Sequence, residues 1–463
     1  MRFSWLTAAS KLDVNRSLLP AALDQAERYL KTRSAQPVVP NQAILDRLKN
    51  FDEPLPEYPS DPFEILSTLE IDGAAATVAS TGPNYYGFVT GGTLPIALAS
   101  RWISDTWDQN SALAVMSPIA AKLEGLVAQW LTELFEFPDE TAVGLVSGSS
   151  VASLCALTAA RDSLLERVGW STQQRGLFGA PPLKIFAPDS VHSAIPKALR
   201  ILGFGEEHIH LLATDGQGRI DPKNLPQLDA QSVLILQAGQ VCSGAFDDFE
   251  QIIPAAQAAG AWVHIDGAFG LWAAASSRLR HLTRGIALAD SCSVDAHKTL
   301  NVPYDSGIVL CRRPEALSRA LTASASYLVT DHGRDGMMLT PEMSRRARGI
   351  ELWATLKFLG RQGLSDLVEH FHHLAEQLRS LLKTSEYEIL NEDGFNQVLL
   401  ALKDDVATDR ALALIQDSKE VWLSGATWQG KRVIRVSICN WQTEPKDITR
   451  LAAIMAKAAE RAS

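Results

Sequence analysis

The stretch DSCSVDAHKTLNVPYDSG, residues 290–307, places a single lysine, Lys298, where a lysine is unusual. Lys298 follows a short run with the alternating pattern of a buried strand, and small residues and a proline come after it. A lysine withdrawn from water loses its charged form more easily, becomes nucleophilic and can form a Schiff base with a carbonyl compound. In isolation, however, the favoured interpretation of Lys298 is a surface lysine that buries only its aliphatic stem.

A second strand pattern, WVHIDGAFG, ends in Asp266, which precedes Lys298 by 298 − 266 = 32 residues. Parallel α/β sheets bind ligands beyond the carboxyl ends of their strands, so a carboxylate at this point is a candidate for chemistry. A buried charge without a partner is costly, so Asp266 needs one. Taken alone, Asp266 is equally well explained as a helix cap or as half of a salt bridge.

Two further patterns add candidates for binding. In AVGLVSGSSVASL a strand-like run meets Gly148, Ser149 and Ser150 directly before a helical pattern. Small residues let backbone amides approach a phosphate, hydroxyls add donors, and a helix N-terminus adds partial positive charge. Serine-rich helix caps are common, however, so this motif is weak by itself. In PDSVHSAIPKAL, His192 follows a strand pattern at a helix start, where a structural histidine is the commoner case.

Each pattern is ambiguous alone, but together they describe one kind of site. Pyridoxal phosphate needs a lysine to hold its carbonyl carbon, a carboxylate to keep its ring nitrogen protonated, and donors for its phosphate. A phosphate turn, a strand-end aspartate, a strand-end lysine and a histidine at one sheet edge supply this set. The sequence therefore predicts a pyridoxal-phosphate site in which Lys298 carries the cofactor.

The elements around these residues predict the fold. From about residue 80 to 310, short apolar runs alternate with helical periods, as in LKIFAP followed by SAIPKALRILG. Such alternation is typical of an α/β protein with a mostly parallel sheet covered by helices on both faces. A long helical pattern, SRRARGIELWATLKFLG, then leads into alternating strands that predict a smaller α+β domain.

We expect three units along the chain. Residues 1–60 carry helical patches between Pro-rich joins without a core of their own, so this segment is expected to pack on a partner subunit. Residues 61–340 are expected to form the large cofactor-binding domain, and residues 341–463 the small C-terminal domain. The predicted assembly is a homodimer.

Bulk properties exclude several classes of protein. With 463 residues, 46% hydrophobic and 21% charged, the chain is long enough for a large core and is not disordered. Its net charge of −10 argues against a nucleic-acid or anionic-membrane surface. Five scattered cysteines give neither a disulfide framework nor a zinc site, and no apolar run is long enough to span a bilayer. These properties predict a cytoplasmic protein without a metal.

In order and spacing, seven motifs resemble those of the group II pyridoxal-phosphate-dependent amino-acid decarboxylases. The motifs are PNYYGFVTGG, SPIAAKLEGLVAQWL, GLVSGSSVASLCAL, DSVHSAIPKALRILG, HIDGAFG, DAHKTLNVPYDSG and SRRARGIELWATLKFLG, and they cover about residues 60–460. This family includes aromatic amino-acid, glutamate and diaminobutyrate decarboxylases. The resemblance implies pyridoxal-phosphate fold type I, the aspartate aminotransferase-like fold, and pyridoxal 5'-phosphate as cofactor.

The resemblance also assigns expected roles to residues. Lys298 matches the Schiff-base lysine, Asp266 the partner of the pyridinium nitrogen, and His192 the histidine stacked on the cofactor ring. The remaining expected cofactor contacts are Ala268, Gly148, Ser149, Ser150, His297 and Asp295, the last at a position that is often Asn. The segment YYGFVTGG is similar to the one that lines the substrate pocket, with Phe88 and Thr90 the expected substrate contacts.

Two departures lie near the cofactor. Where the family often has Gly-Thr-Thr, with one threonine touching the cofactor, this chain has Gln240, Val241 and Cys242. The Asn that commonly follows the phosphate turn is Ser153 here.

The third departure concerns the proton donor. A loop tyrosine usually protonates the reaction intermediate after carbon dioxide has left, but an ungapped alignment puts Gly336 at its place. The only tyrosine nearby, Tyr327, matches a different family position. His332 is therefore the expected catalytic donor, with a solvent-exposed loop histidine as the alternative, and His192 or water next in line.

The expected function is decarboxylation of an L-amino acid to the amine and carbon dioxide. The missing tyrosine leaves other pyridoxal-phosphate reactions open: oxidative deamination to an aldehyde, carbon–carbon lyase chemistry or transamination. A catalytically silent, cofactor-binding paralogue is the alternative from another class.

Overall fold

The computed structural model describes residues 14–322, 334–392 and 394–462. The α-helices are α1 (Val14–Thr32), α2 (Gln42–Leu45), α3 (Pro62–Thr68), α4 (Pro95–Trp107), α5 (Pro118–Leu134), α6 (Ser149–Arg167), α7 (Thr172–Arg175), α8 (Ala194–Ile201), α9 (Phe249–Ala258), α10 (Pro314–Leu321), α11 (Gly349–Leu382), α12 (Asp405–Asp417) and α13 (Pro445–Ala462). The strands are β1 (Ala142–Val146), β2 (Lys184–Pro188), β3 (Ile209–Leu212), β4 (Ser232–Gln237), β5 (Trp262–Asp266), β6 (Ser291–Asp295), β7 (Gly307–Cys311), β8 (Glu388–Ile389), β9 (Gln397–Ala401), β10 (Ser424–Trp428) and β11 (Lys431–Ser437). Short 3-10 turns lie at Arg33–Ala35, Asp46–Phe51, Ala74–Ala76, Glu206–His208, Pro222–Asn224, Gly270–Ala275, Arg280–Thr283, Ile286–Leu288 and Gly336–Met338, and a π-helical turn at Leu69–Gly73.

A seven-stranded sheet in the order β1-β7-β6-β5-β4-β2-β3 forms the centre of the molecule. Strands β2 to β6 pair in parallel, and β7 is antiparallel to both of its neighbours, β1 and β6. The carboxyl ends of β1, β2, β4, β5 and β6 therefore meet at one edge. The predicted mostly parallel α/β sheet is confirmed.

Helices cover both faces of this sheet. Strand residues such as Leu234 and Leu236 face a core that they share with α5, α9 and the first part of α11. Their neighbours Val233 and Ile235 face a second core, formed with α6, α8 and α10. Because side chains alternate across a strand, a sheet buried on both faces needs nearly continuous apolar strands, as the sequence has.

A smaller antiparallel sheet, in the order β10-β11-β9-β8, packs against α12, α13 and the second part of α11. Helix α11 contacts both cores, and it bends at Gly360, whose φ of 58° lies outside the helical region. Only glycine adopts this conformation readily, so the one long helical pattern in the sequence forms a bent helix. The small α+β unit is thus present, while the division of the chain at residues 60 and 340 stays a prediction.

The N-terminal segment exposes many apolar side chains. Leu19, Leu55 and Tyr58 are exposed, as are Trp102 and Trp107 of α4. Among the helices that the structure describes, none is both long and apolar enough to cross a membrane. The predicted cytoplasmic location stays a prediction.

Candidate active site

Two neighbouring strands of the large sheet end in aspartates at the same edge. Strand β5 ends at Asp266 and β6 at Asp295, and Asp266 pairs with Ser293 in the parallel register. Lys298 follows β6 directly in the turn after Asp295, and the connection from β5 to β6 contains three short 3-10 turns. Lys298 and Asp266 therefore lie at the same edge of the sheet, together with Asp295.

Asp295 is the centre of the contacts at this edge. Its carboxylate forms an ion pair with the Lys298 amine at 2.9 Å. It also accepts hydrogen bonds from the Ser149 amide at 2.5 Å and from the Ser149 hydroxyl at 2.8 Å. The Nε2 atom of His297 lies 3.6 Å away. Asp295 thus joins the first turn of α6 to the lysine turn.

The pairing of the strands explains how Ser149 reaches Asp295. Gly307 of β7 lies opposite Val146 on one side and opposite Asp295 on the other. A Cβ atom on Gly307 would lie only 2.3 Å from the Cα atom of Gly148. Glycine at 307 therefore lets the turn before α6 close over the end of β6, a contact that the lysine-containing motif alone does not reveal.

Charge at this contact is mutually stabilised. Burial alone would raise the pKa of the Asp295 carboxyl, but Lys298 and His297 lower it below its usual value. Burial would likewise lower the pKa of the Lys298 amine, but the Asp295 carboxylate raises it above its usual value. In the protein without its cofactor, the pair is an ammonium–carboxylate ion pair.

Asp266 has a different environment. Its Oδ1 atom accepts a hydrogen bond from the Ala268 amide at 3.1 Å. In the part of the chain that the structure describes, no Lys, Arg or His nitrogen lies within 4.0 Å of its carboxylate. Burial raises the pKa of Asp266, and the charges of Lys298 and His192 only partly oppose this. Asp266 is therefore a half-buried carboxylate that still has room for a cationic partner.

His192 lies at the same edge of the sheet, in the turn between β2 and α8. Its Nδ1 atom accepts the Ala194 amide at 3.2 Å, which fixes the ring at the helix start. The ring is solvent-accessible, but the walls of the cleft displace much of its water, and this desolvation lowers the pKa of His192. The charges of Asp266 and Lys298 act on the same ring, which places the three groups in one cleft.

Gln240, at one of the positions where the family often has threonine, bonds to backbone groups of two turns. Its side-chain oxygen accepts the amides of Cys242 at 2.6 Å and Ser243 at 2.9 Å. Its side-chain amide donates to the Ser190 carbonyl at 3.2 Å. Gln240 thus fixes the turn after β4 and ties it to the turn that carries His192.

The segment with the predicted substrate contacts lies against the lysine turn. A Cβ atom on Gly91 would lie 2.1 Å from the Lys298 carbonyl oxygen, so only glycine fits there and the neighbouring Thr90 is held beside Lys298. The Phe88 ring is exposed, and Phe88 and Val89 both have a positive φ of 55°. Strained backbone of this kind is often found in binding sites, which agrees with the expected role of this segment.

Two residues of the cleft were missed by the sequence interpretation. Arg435 of β11 is buried, donates to the Val241 carbonyl at 3.3 Å and acts electrostatically on His192. Its signal was a charged residue within the apolar strand pattern RVIRVSIC. Tyr304 stacks on His297 with ring centroids 4.4 Å apart, and it was present in the opening motif without a role.

The predicted donor His332 lies outside the described residues. Gly336, at the place of the family's loop tyrosine, is buried, and a Cβ atom on it would lie 1.4 Å from the Arg345 guanidinium. Arg345 in turn pairs with Glu124 at 2.8 Å. In this conformation a tyrosine would not fit at position 336.

The residues at this edge fit pyridoxal phosphate. Lys298 provides the amine, and Asp266 retains an open carboxylate oxygen. The Ser150 side chain is exposed on the first turn of α6, at the positive end of the helix dipole. Ser149 is already occupied by Asp295, so Ser150 and the helix N-terminus are the available phosphate donors.

Fold and site together define a pyridoxal-phosphate-dependent enzyme of fold type I. The sequence matches the model of the pyridoxal-dependent decarboxylase conserved domain over residues 46–403. The chain belongs to this family, it is a pyridoxal-phosphate-dependent carboxy-lyase by class, and its cofactor is pyridoxal 5'-phosphate.

Curated relatives cover most of the chain at low identity. The aromatic-L-amino-acid decarboxylase of Bacillus atrophaeus is 26% identical over 380 residues, which cover 78% of this chain and 75% of the relative. The phenylacetaldehyde synthase of Arabidopsis thaliana is 23% identical over 450 residues, covering 91% of this chain and 90% of the relative. Relatives with two kinds of reaction name are therefore similarly close.

The fold has solved counterparts. The crystal structure of Oryza sativa TDC with PLP and tryptamine superposes with a TM-score of 0.88 at 22% identity, covering 97% of this chain and 98% of that chain. This similarity confirms the predicted fold.

Proposed function

We propose that this enzyme decarboxylates an L-amino acid to the corresponding amine, with the cofactor carried by Lys298. The observation that carries the proposal is the pair of adjacent strand ends. Lys298 is held by Asp295, while Asp266 has no cationic partner of its own among the described residues. This arrangement supplies both the amine for attachment and the carboxylate for a ring nitrogen.

Bound pyridoxal phosphate supplies an electron sink through its protonated ring nitrogen. In this proposal Asp266 holds the proton on that nitrogen, and the pKa of its carboxyl, raised by burial, favours sharing of the proton. Ser150 and the first turn of α6 bind the phosphate, and Gly148, whose place is tightly packed against His297, leaves the helix N-terminus open. His192 and Ala268 would contact the cofactor ring.

Orientation of the substrate selects the bond that breaks. Electrons flow into the ring most easily from the α-carbon bond that stands perpendicular to it, so holding the carboxylate perpendicular favours loss of carbon dioxide. Arg435 is a buried cation without a carboxylate partner among the described residues, and it would attract the substrate carboxylate. Phe88 and Thr90 would contact the substrate side chain.

A second candidate function is oxidative deamination to an aldehyde. The packing of Gly336 against Arg345 supports it, because the usual donor tyrosine has no place there. The name of the Arabidopsis relative, a phenylacetaldehyde synthase, belongs to the same alternative. Carbon–carbon lyase chemistry, transamination and a silent paralogue have no comparable observation in their favour.

The test is product analysis with each proteinogenic L-amino acid in turn. Decarboxylation predicts carbon dioxide and amine in equal amounts. Aldehyde, ammonia and hydrogen peroxide would select oxidative deamination, and a keto acid without carbon dioxide would indicate transamination. A protein that binds cofactor but turns over none of these substrates would contradict the proposal.

We further propose a homodimer in which the N-terminal segment packs on the partner subunit. Leu19, Leu55 and Tyr58 of this segment and Trp102 and Trp107 of α4 are large hydrophobic side chains exposed in the single chain. Contiguous exposed apolar surface marks an interaction site. Analytical ultracentrifugation should give a dimer, and an active monomer would refute this assembly.

A further inference from the structure

Tyr304 lies in the same turn as Lys298, between β6 and β7. Its ring stacks on His297, which approaches Asp295 in turn. Roughly half of its surface is exposed (52%), so the phenol can be reached by a molecule in the cleft. Tyr304 therefore combines a fixed ring with an accessible hydroxyl.

The phenol lies near the lysine turn. Its hydroxyl contacts the Thr90 side chain, and the charges of Lys298 and Asp295 act on it. Thr90 precedes Gly91, and a Cβ atom on Gly91 would lie 2.1 Å from the Lys298 carbonyl oxygen. Tyr304 and Thr90 therefore both lie close to the turn that carries Lys298.

The backbone around Tyr304 is firmly anchored. Its carbonyl oxygen accepts a hydrogen bond from Arg101. The next residue, Asp305, accepts two hydrogen bonds of 3.1 Å from Arg348 and one of 3.1 Å from Arg346. A donor held in this way can act repeatedly at one position, since its geometry does not depend on loop closure.

The phenol also has a suitable charge state. Burial raises the pKa of Tyr304, although contacts with Thr90 and Lys298 partly oppose this. The O–H group therefore stays protonated at neutral pH and is available for transfer. By contrast, desolvation lowers the pKa of His192, so its ring carries its extra proton less often.

Other tyrosines of the described chain are less suited. Tyr86 is fully buried in the core of the small sheet, and its hydroxyl has no partner. Tyr387 donates to the Met455 carbonyl, again in that core. Tyr85 is buried, and burial raises the pKa of its phenol.

We propose that Tyr304 is the proton donor of the reaction and replaces the loop tyrosine that position 336 does not accommodate. The inference rests on the proposed decarboxylation. The bond between the α-carbon and the carboxylate breaks, carbon dioxide leaves, and the electron pair remains at the α-carbon. The phenol O–H bond then breaks, a C–H bond forms at the α-carbon, and the phenolate takes a proton from water.

The first test separates carbon dioxide release from amine formation. Tyr304→Phe removes only the hydroxyl and keeps the ring on His297. In single-turnover experiments, the variant should release carbon dioxide while its amine formation falls by about 10²-fold, the usual scale of general acid catalysis. Tyr387→Phe, which removes a buried hydroxyl far from the cleft, should behave as the parent enzyme.

The outcomes distinguish this inference from the proposed function. Tyr304 is not the donor if Tyr304→Phe forms amine at the parental rate. It is also not the donor if the rates of carbon dioxide release and of amine formation fall by the same factor. In both cases the proposed function stands. If the parent enzyme releases carbon dioxide from no amino acid, the proposed function fails, and the step assigned to Tyr304 fails with it.

The second test needs no turnover. In the cofactor-free protein, carbon-13 labelling of the tyrosine ring allows the ionisation of each phenol to be followed by NMR, with Tyr304→Phe identifying the Tyr304 signal. Because Lys298 lowers the pKa of Tyr304, Lys298→Ala should raise it, whereas Lys184→Ala at the protein surface should leave it unchanged. If the pKa of Tyr304 is unchanged in Lys298→Ala, the phenol does not lie near the amine.

Discussion

The ends of β5 and β6 lie side by side, yet the pKa values of their aspartates shift in opposite directions. Asp295 is paired with Lys298 and Ser149, and these partners lower the pKa of its carboxyl although burial alone would raise it. Asp266 accepts one backbone amide, and burial raises the pKa of its carboxyl. The paired aspartate is a structural part of the lysine turn, whereas the unpaired one is left for a ligand.

At one sheet edge, a structural carboxylate can be distinguished from one that is available to a ligand. Burial acts to raise the pKa of both carboxyls, so burial alone does not distinguish them. The difference is whether the protein itself provides the compensating positive charge. Where it does not, we propose that a bound molecule supplies the positive charge, here the protonated ring nitrogen of the cofactor.

The largest expected effect is that of Lys298→Ala, which removes the amine for cofactor attachment. Turnover should fall by more than about 10³-fold, the scale seen when a covalent nucleophile is removed. The absorbance of the attached cofactor should disappear while the circular dichroism of the fold remains. Lys184→Ala, at a surface ion pair with Asp229, is the matched control and should keep full activity.

The next effect tests the unpaired aspartate. Asp266→Asn keeps an acceptor for the Ala268 amide but removes the charge. The variant should still attach cofactor to Lys298, and its turnover should fall by about 10²- to 10³-fold, the scale for removing one electrostatic group from an active site. A turnover rate close to that of the parent enzyme would mean that another group keeps the ring nitrogen protonated.

The paired aspartate should respond differently. Since Asp295 raises the pKa of Lys298, Asp295→Asn should lower it. Attachment of the cofactor needs the neutral amine, so the pH profile of the attachment rate should move to lower pH and the rate at neutral pH should rise. An unchanged profile in stopped-flow absorbance would show that Asp295 does not control the lysine.

The smallest effect concerns a paired carboxylate away from the two strand ends. Burial would raise the pKa of Asp305, but hydrogen bonds with Arg348 and Arg346 lower it to about 2. This is below the usual value of about 4 for an unfolded chain, so the pair stabilises the fold above about pH 4 and loses this contribution as the pH falls toward 2.

Asp305→Asn should therefore lower the urea midpoint at neutral pH, and the difference from the parent protein should shrink as the pH falls. Asp409→Asn is the matched control, because Asp409 forms an exposed ion pair with Arg432 and should change stability by less than about 1 kcal/mol. A difference for Asp305→Asn that stays constant down to the lowest pH would contradict the role of the arginines.

Much of the fold could be predicted from local patterns. The strands ending in Asp266 and Asp295 were readable because a sheet buried on both faces needs continuous apolar runs. The reversed direction of β7 and the bend at Gly360 could not be predicted, because both depend on contacts between distant segments. Strand β3 was missed because its residues are only partly buried and its apolar pattern is weak.

The candidate site was predicted in part. Lys298 and Asp266 stand out because their residue types are unusual at strand ends. The link between Asp295 and Ser149 depends on the contact between Gly307 and Gly148, which no local pattern encodes. Arg435 was missed for the same reason, since it reaches the cleft from β11, whereas Tyr304 was missed although it lies in the same motif as Lys298.

The most direct test of the account is the identity of the residue that carries the cofactor. The holoenzyme is reduced with borohydride, which makes the cofactor–lysine linkage permanent, and its proteolytic peptides are then mapped by mass spectrometry. The account predicts one modified peptide, with the cofactor mass on Lys298. Modification of another lysine, with Lys298 unmodified, would contradict it.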